Sequence, residues 1–312
     1  MTPAHSSLFS NHSEADASAR GAVSSDDERT VRGTLRVMGW NFLEGGLTRP
    51  DANGRRRPHK ARRDAAIALV KKLDPDILVL NEALGGHPSP QSRPYTDYGK
   101  LFGFDHHVAA LYSGAWGNAI LSRFRLTGTK TDLLYDEVTR RDRGWLAARV
   151  ETTAGSLWIG TYHPHPERRP EQRRQDVAQL LDAIDGPAVF AGDLNATHPN
   201  YPLQDDRLLP ILAHLQGAER AAASLKTFRD SGRMLLDEQE GIFPERGWKV
   251  ADTGGVPSLP TALIRQPGDP GLCIDHMAVS PGLRVQRAWI ETGLFTDEAS
   301  DHYPVVADIH LG

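Results

Sequence analysis

Four short stretches between Val37 and Pro304 join apolar residues to an acid, an amide or a histidine. They are Val37-Met38-Gly39-Trp40-Asn41, Ile77-Leu78-Val79-Leu80-Asn81-Glu82, Val189-Phe190-Ala191-Gly192-Asp193-Leu194-Asn195 and Ser300-Asp301-His302-Tyr303-Pro304. A β-prone apolar run that stops in a polar residue reads as a buried strand delivering a side chain to the edge of a sheet. Four such endings, all of oxygen ligands or imidazole, point to one polar pocket suited to a hard metal ion and a phosphate.

The 312 residues suffice for one large domain or two small ones. A formal net charge of −4 argues against a protein that coats nucleic acid, while leaving room for a local basic groove. The single cysteine, Cys273, excludes an intramolecular disulfide and a cysteine-cluster metal site. No apolar run approaches the ~18 residues that would span a bilayer. Residues 1–32 are rich in Ser, Ala, Asp and His and lack the apolar core of a secretory signal, so a disordered tail and a cytoplasmic location are expected. Order is expected over 33–312 as one domain, with no obligate protein partner.

Strands are predicted over Thr34–Trp40 and Asp76–Asn81, separated by a helix whose Ala66, Leu69, Val70 and Leu73 form one apolar stripe. Further strands are expected around His107–Leu111, Gly117–Ser122, Trp145–Glu151 and Ser156–Tyr162, spaced as an antiparallel meander. A second helix opens at Pro170, carries Val177, Leu180, Leu181 and Ile184 on one face, and ends at Gly186-Pro187 before the strand Ala188–Ala191. Residues 203–240 read as helical with a break at Pro210, and Gly241–Asp269 as a long functional loop over the site. Three strands follow, near Cys273–Ser280, Leu283–Glu291 and Tyr303–Ile309. Many strands with few helices between them predict an α/β (α+β) fold of two mixed sheets packed face to face with helices outside.

The chemistry-bearing residues fall into groups. Asn41 and Glu82 offer hard oxygen donors fitted to Mg²⁺ or Mn²⁺ rather than zinc. His163, at the end of a strand, is placed to contact a phosphoryl oxygen, whereas His165 lies beyond the strand in a Pro-flanked loop and reads as a bystander. In Gly192-Asp193-Leu194-Asn195 the glycine permits close backbone approach, and alternation puts Asp193 and Asn195 on one face, able to orient and deprotonate a water. Asp275 can fix the tautomer of His302, while His276 points the other way and reads as structural. Asp301 is placed to contact a metal. Two basic clusters, Arg55, Arg56 and Arg57 within the run to Arg63, and Arg140, Arg141 and Arg143, are candidates for binding substrate phosphate.

The ordered set Trp40-Asn41, Asn81-Glu82, Tyr162-His163, Gly192-Asp193-Leu194-Asn195, Ile274-Asp275-His276 and Ser300-Asp301-His302-Tyr303-Pro304, with Gly117-Asn118-Ala119-Ile120-Leu121-Ser122-Arg123, resembles the endonuclease/exonuclease/phosphatase superfamily of DNase I-like fold. Each motif is short; six in order, spanning Leu35 to Ile309, are specific together. The resemblance implies a four-layered α/β sandwich and metal-dependent hydrolysis of phosphoester bonds. It implies Asn41, Glu82 and Asp301 at the metal, Asp193 as base or water-orienting group, and Asn195 positioning phosphate or nucleophile. It further implies His163 and His302 on the phosphoryl oxygens, with Asp275 behind His302. Two departures stand out. Asn81 replaces the more usual Gln, a change expected to be harmless, and His163 stands where the abasic-site endonuclease branch carries Tyr. The second turns the expectation towards branches resembling secreted nucleases, sphingomyelinases and small-molecule phosphatases, on either nucleic acid or a small phosphorylated molecule. A non-catalytic binding module on the same fold would be expected to lack one of these acids; all are present.

Overall fold

The computed structural model describes residues 33–47, 57–83, 97–112, 116–136, 141–201, 207–210, 213, 217–261 and 270–312. The tail 1–32 and Arg55, Arg56 and Arg140 lie outside them. One sheet is built from β1 (Thr34–Asn41), β2 (Ile77–Asn81), β3 (His106–Tyr112), β4 (Trp116–Ser122), β11 (Arg284–Ile290) and β12 (Val305–His310). The other holds β5 (Leu126–Asp136), β6 (Arg141–Thr152), β7 (Gly155–Tyr162), β8 (Ala188–Asp193), β9 (Lys249–Val250) and β10 (Asp275–Val279). Their orders are β11-β12-β1-β2-β4-β3 and β5-β6-β7-β8-β10-β9. Parallel pairs, β1 with β2 and β7 with β8, sit among antiparallel neighbours, so both sheets are mixed.

Period-two alternation decides how the layers stack. Leu35 and Val37 of β1, Ile77 and Val79 of β2, Ile159 of β7, Val189 and Ala191 of β8 and Met277 and Val279 of β10 meet in the core between the sheets. Their neighbours Met38, Trp40, Leu78 and Leu80 turn outward against α1 (Lys60–Leu73) and α2 (Tyr98–Phe102). Ala188 and Phe190 turn outward against α3 (Pro170–Ala183), the end of α4 (Ala218–Leu236) and α5 (Ile242–Glu245). The result is the expected helix–sheet–sheet–helix sandwich. The stripe Ala66, Leu69, Val70 and Leu73 is buried on α1, which stops where Asp74 adopts a left-handed conformation (φ 51°). Val177, Leu180 and Leu181 are likewise buried on α3.

Two expectations need correction, and one strand escapes the sequence. The four strands between His106 and Tyr162 do not form one meander: β3 and β4 belong to the first sheet, β6 and β7 to the second. Between them runs β5, which the sequence conceals because Thr127, Gly128, Thr129, Lys130, Thr131 and Asp132 line an exposed edge and carry no apolar pattern. Gly241–Asp269 is not simply a loop, since it holds α5 and β9, and Leu259 bridges to Leu272; residues 262–269 lie outside the described set. Among the described residues, no helix is long and apolar enough to cross a membrane.

Candidate active site

The alternation that fills the inter-sheet core does not stop where the apolar residues do. Continued two residues further, Val79 leads to Asn81, Ala191 to Asp193, Ile159 to Thr161 and His163, and Met277 back to Asp275. These polar side chains therefore converge between the sheets at one end of the sandwich. Gly39 gives room there: a Cβ on it would lie 2.9 Å from that of Ala191. In the first sheet Asn41, Asn81 and Asn118 stand side by side in register, and in the second Asp193 faces Asp275.

Asp193 is the centre of the cluster. Its Oδ2 accepts from Nδ2 of Asn41 (3.0 Å) and lies 3.3 Å from Nε2 of His163 and 3.8 Å from Nε2 of His302. Its Oδ1 accepts the backbone N–H of Asn195 (2.8 Å). Burial and the facing Asp275 carboxylate push the Asp193 carboxyl up to about 6. His302 Nδ1 binds Asp275 Oδ2 at 2.8 Å. Burial by itself would lower the imidazole, but the charges of Asp275, Asp193 and Asp301 outweigh it and hold His302 well above the ordinary range. His163 goes the other way, driven well down by burial and by the Arg143 cation, so its ring is neutral, and its Nδ1 is buried without a hydrogen-bond partner.

Glu82 reaches the site by a different route. One residue beyond Asn81, it would point to the opposite face of a continuing strand, but a positive φ of 55° turns it back. Its Oε2 accepts the backbone N–H of Glu44 (3.0 Å), and Oε1 lies 3.4 Å from Asn41 Nδ2. Burial and the Asp301 charge raise its carboxyl to about 7. Asp301 itself is partly exposed beside buried His302. Asp193, Asp275 and His302 each offer a ligand atom within 4.8 Å of the others, a spacing that could hold a cation, but here His302 is itself the cation, bonded to Asp275.

The structure thus brings together Asn41, Glu82, His163, Asp193, Asn195, Asp275, Asp301 and His302. Asn195 arrives differently from the strand alternation expected of it: β8 ends at Asp193, Asn195 is left-handed (φ 47°), and its Nδ2 donates to the Pro164 carbonyl (3.1 Å). His276 is structural, bound through Nε2 to the Ala196 carbonyl (2.7 Å). The basic clusters divide. Arg57 is exposed, and the side chain of Arg141 lies outside the described residues. Arg62 and Arg63, read with them as an anion-facing patch, instead donate to the carbonyls of Leu43, Gly45, Gly46, Leu47 and Ala299. Arg143 is buried at the site, its Cζ 5.7 Å from the Tyr112 ring and 5.4 Å from that of Trp116.

Asn81 supports the site in a way that the sequence does not reveal. Fully buried, it accepts the Asp193 N–H (2.8 Å) and donates to Asn118 (2.8 Å) and Thr161 (3.0 Å), joining the two sheets under the acid. Ser258 is a second residue the sequence does not reveal: its Oγ accepts the N–H groups of Ile274 and Asp275, each at 3.1 Å.

No curated protein matches the chain by sequence. Among solved structures it is similar to an endonuclease/exonuclease/phosphatase from Beutenbergia cavernae DSM 12333 (22% identity, 90% of this chain and 72% of that one, TM-score 0.59). It is similar also to an endonuclease/exonuclease/phosphatase from Bacteroides vulgatus (18% identity, 89% and 99%, TM-score 0.58). A third similar structure is that of ANGEL2, a 2′,3′-cyclic phosphatase, with adenosine-2′,3′-vanadate (16% identity, 88% and 95%, TM-score 0.55). At these identities the likeness establishes the fold. The sequence profile of the Endonuclease/Exonuclease/phosphatase family matches residues 38–302, a span that takes in every residue of the cluster, and the chain belongs to that family.

Proposed function

We propose that the chain is a divalent-metal-dependent phosphoester hydrolase in which water attacks phosphorus in line with the departing oxygen. The observation that carries this reading is the convergence of Asp193, His163, His302 and Asp275 at one buried point, two carboxylates and two oppositely tuned imidazoles. Asn41, Glu82 and Asp301 form an oxygen donor set that fits Mg²⁺ or Mn²⁺. Glu82, held up to about 7 by burial and by Asp301, marks a place where a cation relieves two crowded acids. When bound, such an ion supplies Lewis-acid polarisation of a phosphoryl oxygen and neutralises the leaving oxyanion.

The chain's own residues do the rest. Asp193, fixed by Asn41 and by the Asn195 N–H, orients the attacking water and takes one of its protons as the oxygen–phosphorus bond forms. The bond to the leaving oxygen breaks, and that oxygen takes its proton from solvent. His302, kept cationic by Asp275, presents Nε2–H to the phosphoryl oxygens, and neutral His163 offers a weaker donor beside it. Asn195 positions the phosphate or the nucleophile. Arg143, a buried cation held against two aromatic rings, binds the substrate's phosphate. One phosphate-sized cation beside the acids suits a small phosphorylated molecule and equally the scissile phosphate of a nucleic acid.

The test is hydrolysis of plasmid and single-stranded DNA, RNA, a chromogenic diester, a chromogenic monoester, a 2′,3′-cyclic nucleotide and several sugar phosphates. Each is run with Mg²⁺, with Mn²⁺ and with chelator, beside Asp193→Ala. Metal-dependent turnover that disappears in the variant is the expected result. Turnover that survives chelation or the substitution would overturn the reading.

A further inference from the structure

α3 carries a guanidinium that none of the site's roles uses. Arg173 is completely buried, and every hydrogen bond found for it runs to a backbone carbonyl. Nε donates to Arg168 (2.8 Å), Nη1 to Leu194 (3.2 Å) and Asn195, and Nη2 to His165 (3.1 Å) and Pro166 (2.6 Å). Asp176, on the same helix, is engaged by Arg168 and by the Tyr162 hydroxyl, and Asp193 acts on Arg173 through its charge with no hydrogen bond between them. A buried cation without a carboxylate partner is costly unless its donors are satisfied, and here five carbonyl dipoles take that part.

Those carbonyls belong to two segments. His165, Pro166 and Arg168 follow His163 at the end of β7, and Leu194 and Asn195 follow Asp193 at the end of β8. The parallel ladder between these strands is registered only as far as Gly160 and Phe190, three residues short of both site residues. Beyond it no further register pair joins the two strands, and side chains span the gap, Asn81 linking Thr161 to the Asp193 N–H. The Asn195–Pro164 hydrogen bond (3.1 Å) spans the same gap, and Arg173 spans it at five points.

We propose that Arg173 is a positioning residue that ties the segment after His163 to the segment after Asp193 and so fixes their 3.3 Å approach. Only a planar fork with five N–H groups reaches both segments; a lysine ammonium is a single point and cannot. The kinetic consequence rests on the hydrolase reading above, whereas the geometric assignment does not. Catalytic geometry tolerates little displacement, and about 1 Å costs on the order of 10²-fold in rate.

The experiment compares Arg173→Lys with Arg36→Lys, which loses contacts to Asp308 and the Leu73 carbonyl at the far end of β1. The expected result is a kcat about 10²-fold lower in Arg173→Lys with KM within about threefold, and an unchanged kcat in Arg36→Lys. A kcat retained within threefold, or lost equally in both variants, overturns the proposal. Histidine ¹H–¹⁵N spectra of the same proteins give a readout free of turnover: His163 should shift and broaden in Arg173→Lys while His310 stays put. If the wild type hydrolyses nothing but His163 shifts as expected, the hydrolase reading has failed and the positioning stands; an unmoved His163 overturns the positioning. Should Arg173→Lys not fold, the wild-type guanidinium decides. Resolved, slowly exchanging Nη–H resonances support the clamp, and averaged, fast-exchanging ones refute it.

Discussion

Asp275 stands directly opposite Asp193 in the antiparallel register of β10 and β8, so two buried carboxylates face each other across one end of the second sheet. Like charges opposite one another in a ladder are unfavourable, and burial removes the water that would screen them. Their partners are unequal. Asp275 has the cationic His302 at 2.8 Å, while Asp193 has amide donors, a neutral imidazole and the same cation only at 3.8 Å. The strain accordingly falls on Asp193, the group placed to handle a proton.

A neutral isostere should therefore stabilise the protein while silencing it. The folded state holds Asp193 near 6 against an ordinary value of 3.8, so folding favours the protonated form. The cost of the charge is absent below about pH 4, grows between 4 and 6, and is fully present at pH 7.5, where it is on the order of 2–3 kcal/mol. Chelator-treated Asp193→Asn is expected to melt several degrees above wild type at pH 7.5, with the gain shrinking towards pH 4. Thermal unfolding at both pH values checks this, and a variant less stable than wild type at pH 7.5 would refute it.

Gly192 makes the geometry under Asp193 possible. A Cβ there would sit 2.9 Å from the Tyr162 carbonyl, 3.1 Å from Thr161 Oγ1 and 3.2 Å from Asn81 Oδ1. Backbone cannot yield cheaply, and the two side chains are those that hold the Asp193 N–H and link the sheets. Gly192→Ala is expected to cost about 1–3 kcal/mol in urea unfolding. Turnover should fall by more than Gly128→Ala, where the contacts are ordinary at 3.6 Å and 3.8 Å.

How much of this was legible in the sequence follows from period two. Strands whose inward positions change from apolar to polar, such as Val79 to Asn81 or Ala191 to Asp193, announce the site because side-chain direction is fixed by alternation. Glu82 and Asn195 are picked out by strand-end position and by alternation, yet both reach the site on left-handed backbone that no such pattern displays. The supporting residues were illegible for another reason. Ser258, Arg62 and Arg173 act through backbone N–H and carbonyl groups of segments that include distant ones, and such bonds leave no mark on the composition of either partner. The Arg55–Arg63 run misled because charge density says nothing about which way a guanidinium points; Arg62 turns inward to three carbonyls.

Among the described residues of those clusters, Arg143 is the one that the structure brings to the site. It is buried against Tyr112 and Trp116, and its Nε has no hydrogen-bond partner. A guanidinium held this way has lost little freedom still to lose when it meets a phosphate. Arg143→Gln is expected to raise KM at least tenfold with a smaller change in kcat, and Arg57→Gln, altering an exposed side chain, to leave both nearly unchanged. Steady-state kinetics on the best substrate checks the contrast; equal effects in the two variants would remove Arg143 from phosphate binding.

His276 supplies a pH dependence separate from catalysis. Its ring lies on the outer face of β10, bound through Nε2 to the Ala196 carbonyl at 2.7 Å, and burial lowers it to about 4. His198, whose ring centroid is 6.2 Å away, opposes its protonation, while the Asp275 charge and the Ala196 and Cys273 carbonyls favour it. The unfolded chain binds a proton at this residue near 6.5 and the folded chain only near 4, so its contribution to stability is complete above 6.5 and is lost as the pH falls towards 4. The loss amounts to roughly 3 kcal/mol. Asp193 and Glu82 titrate with the opposite sign, so the comparison must be between proteins rather than across pH alone. His276→Gln keeps a donor for the Ala196 carbonyl and has nothing to titrate. It is expected to lose less stability than wild type between pH 7.5 and pH 5 in urea unfolding, and parallel losses would mean that His276 is not the group responsible.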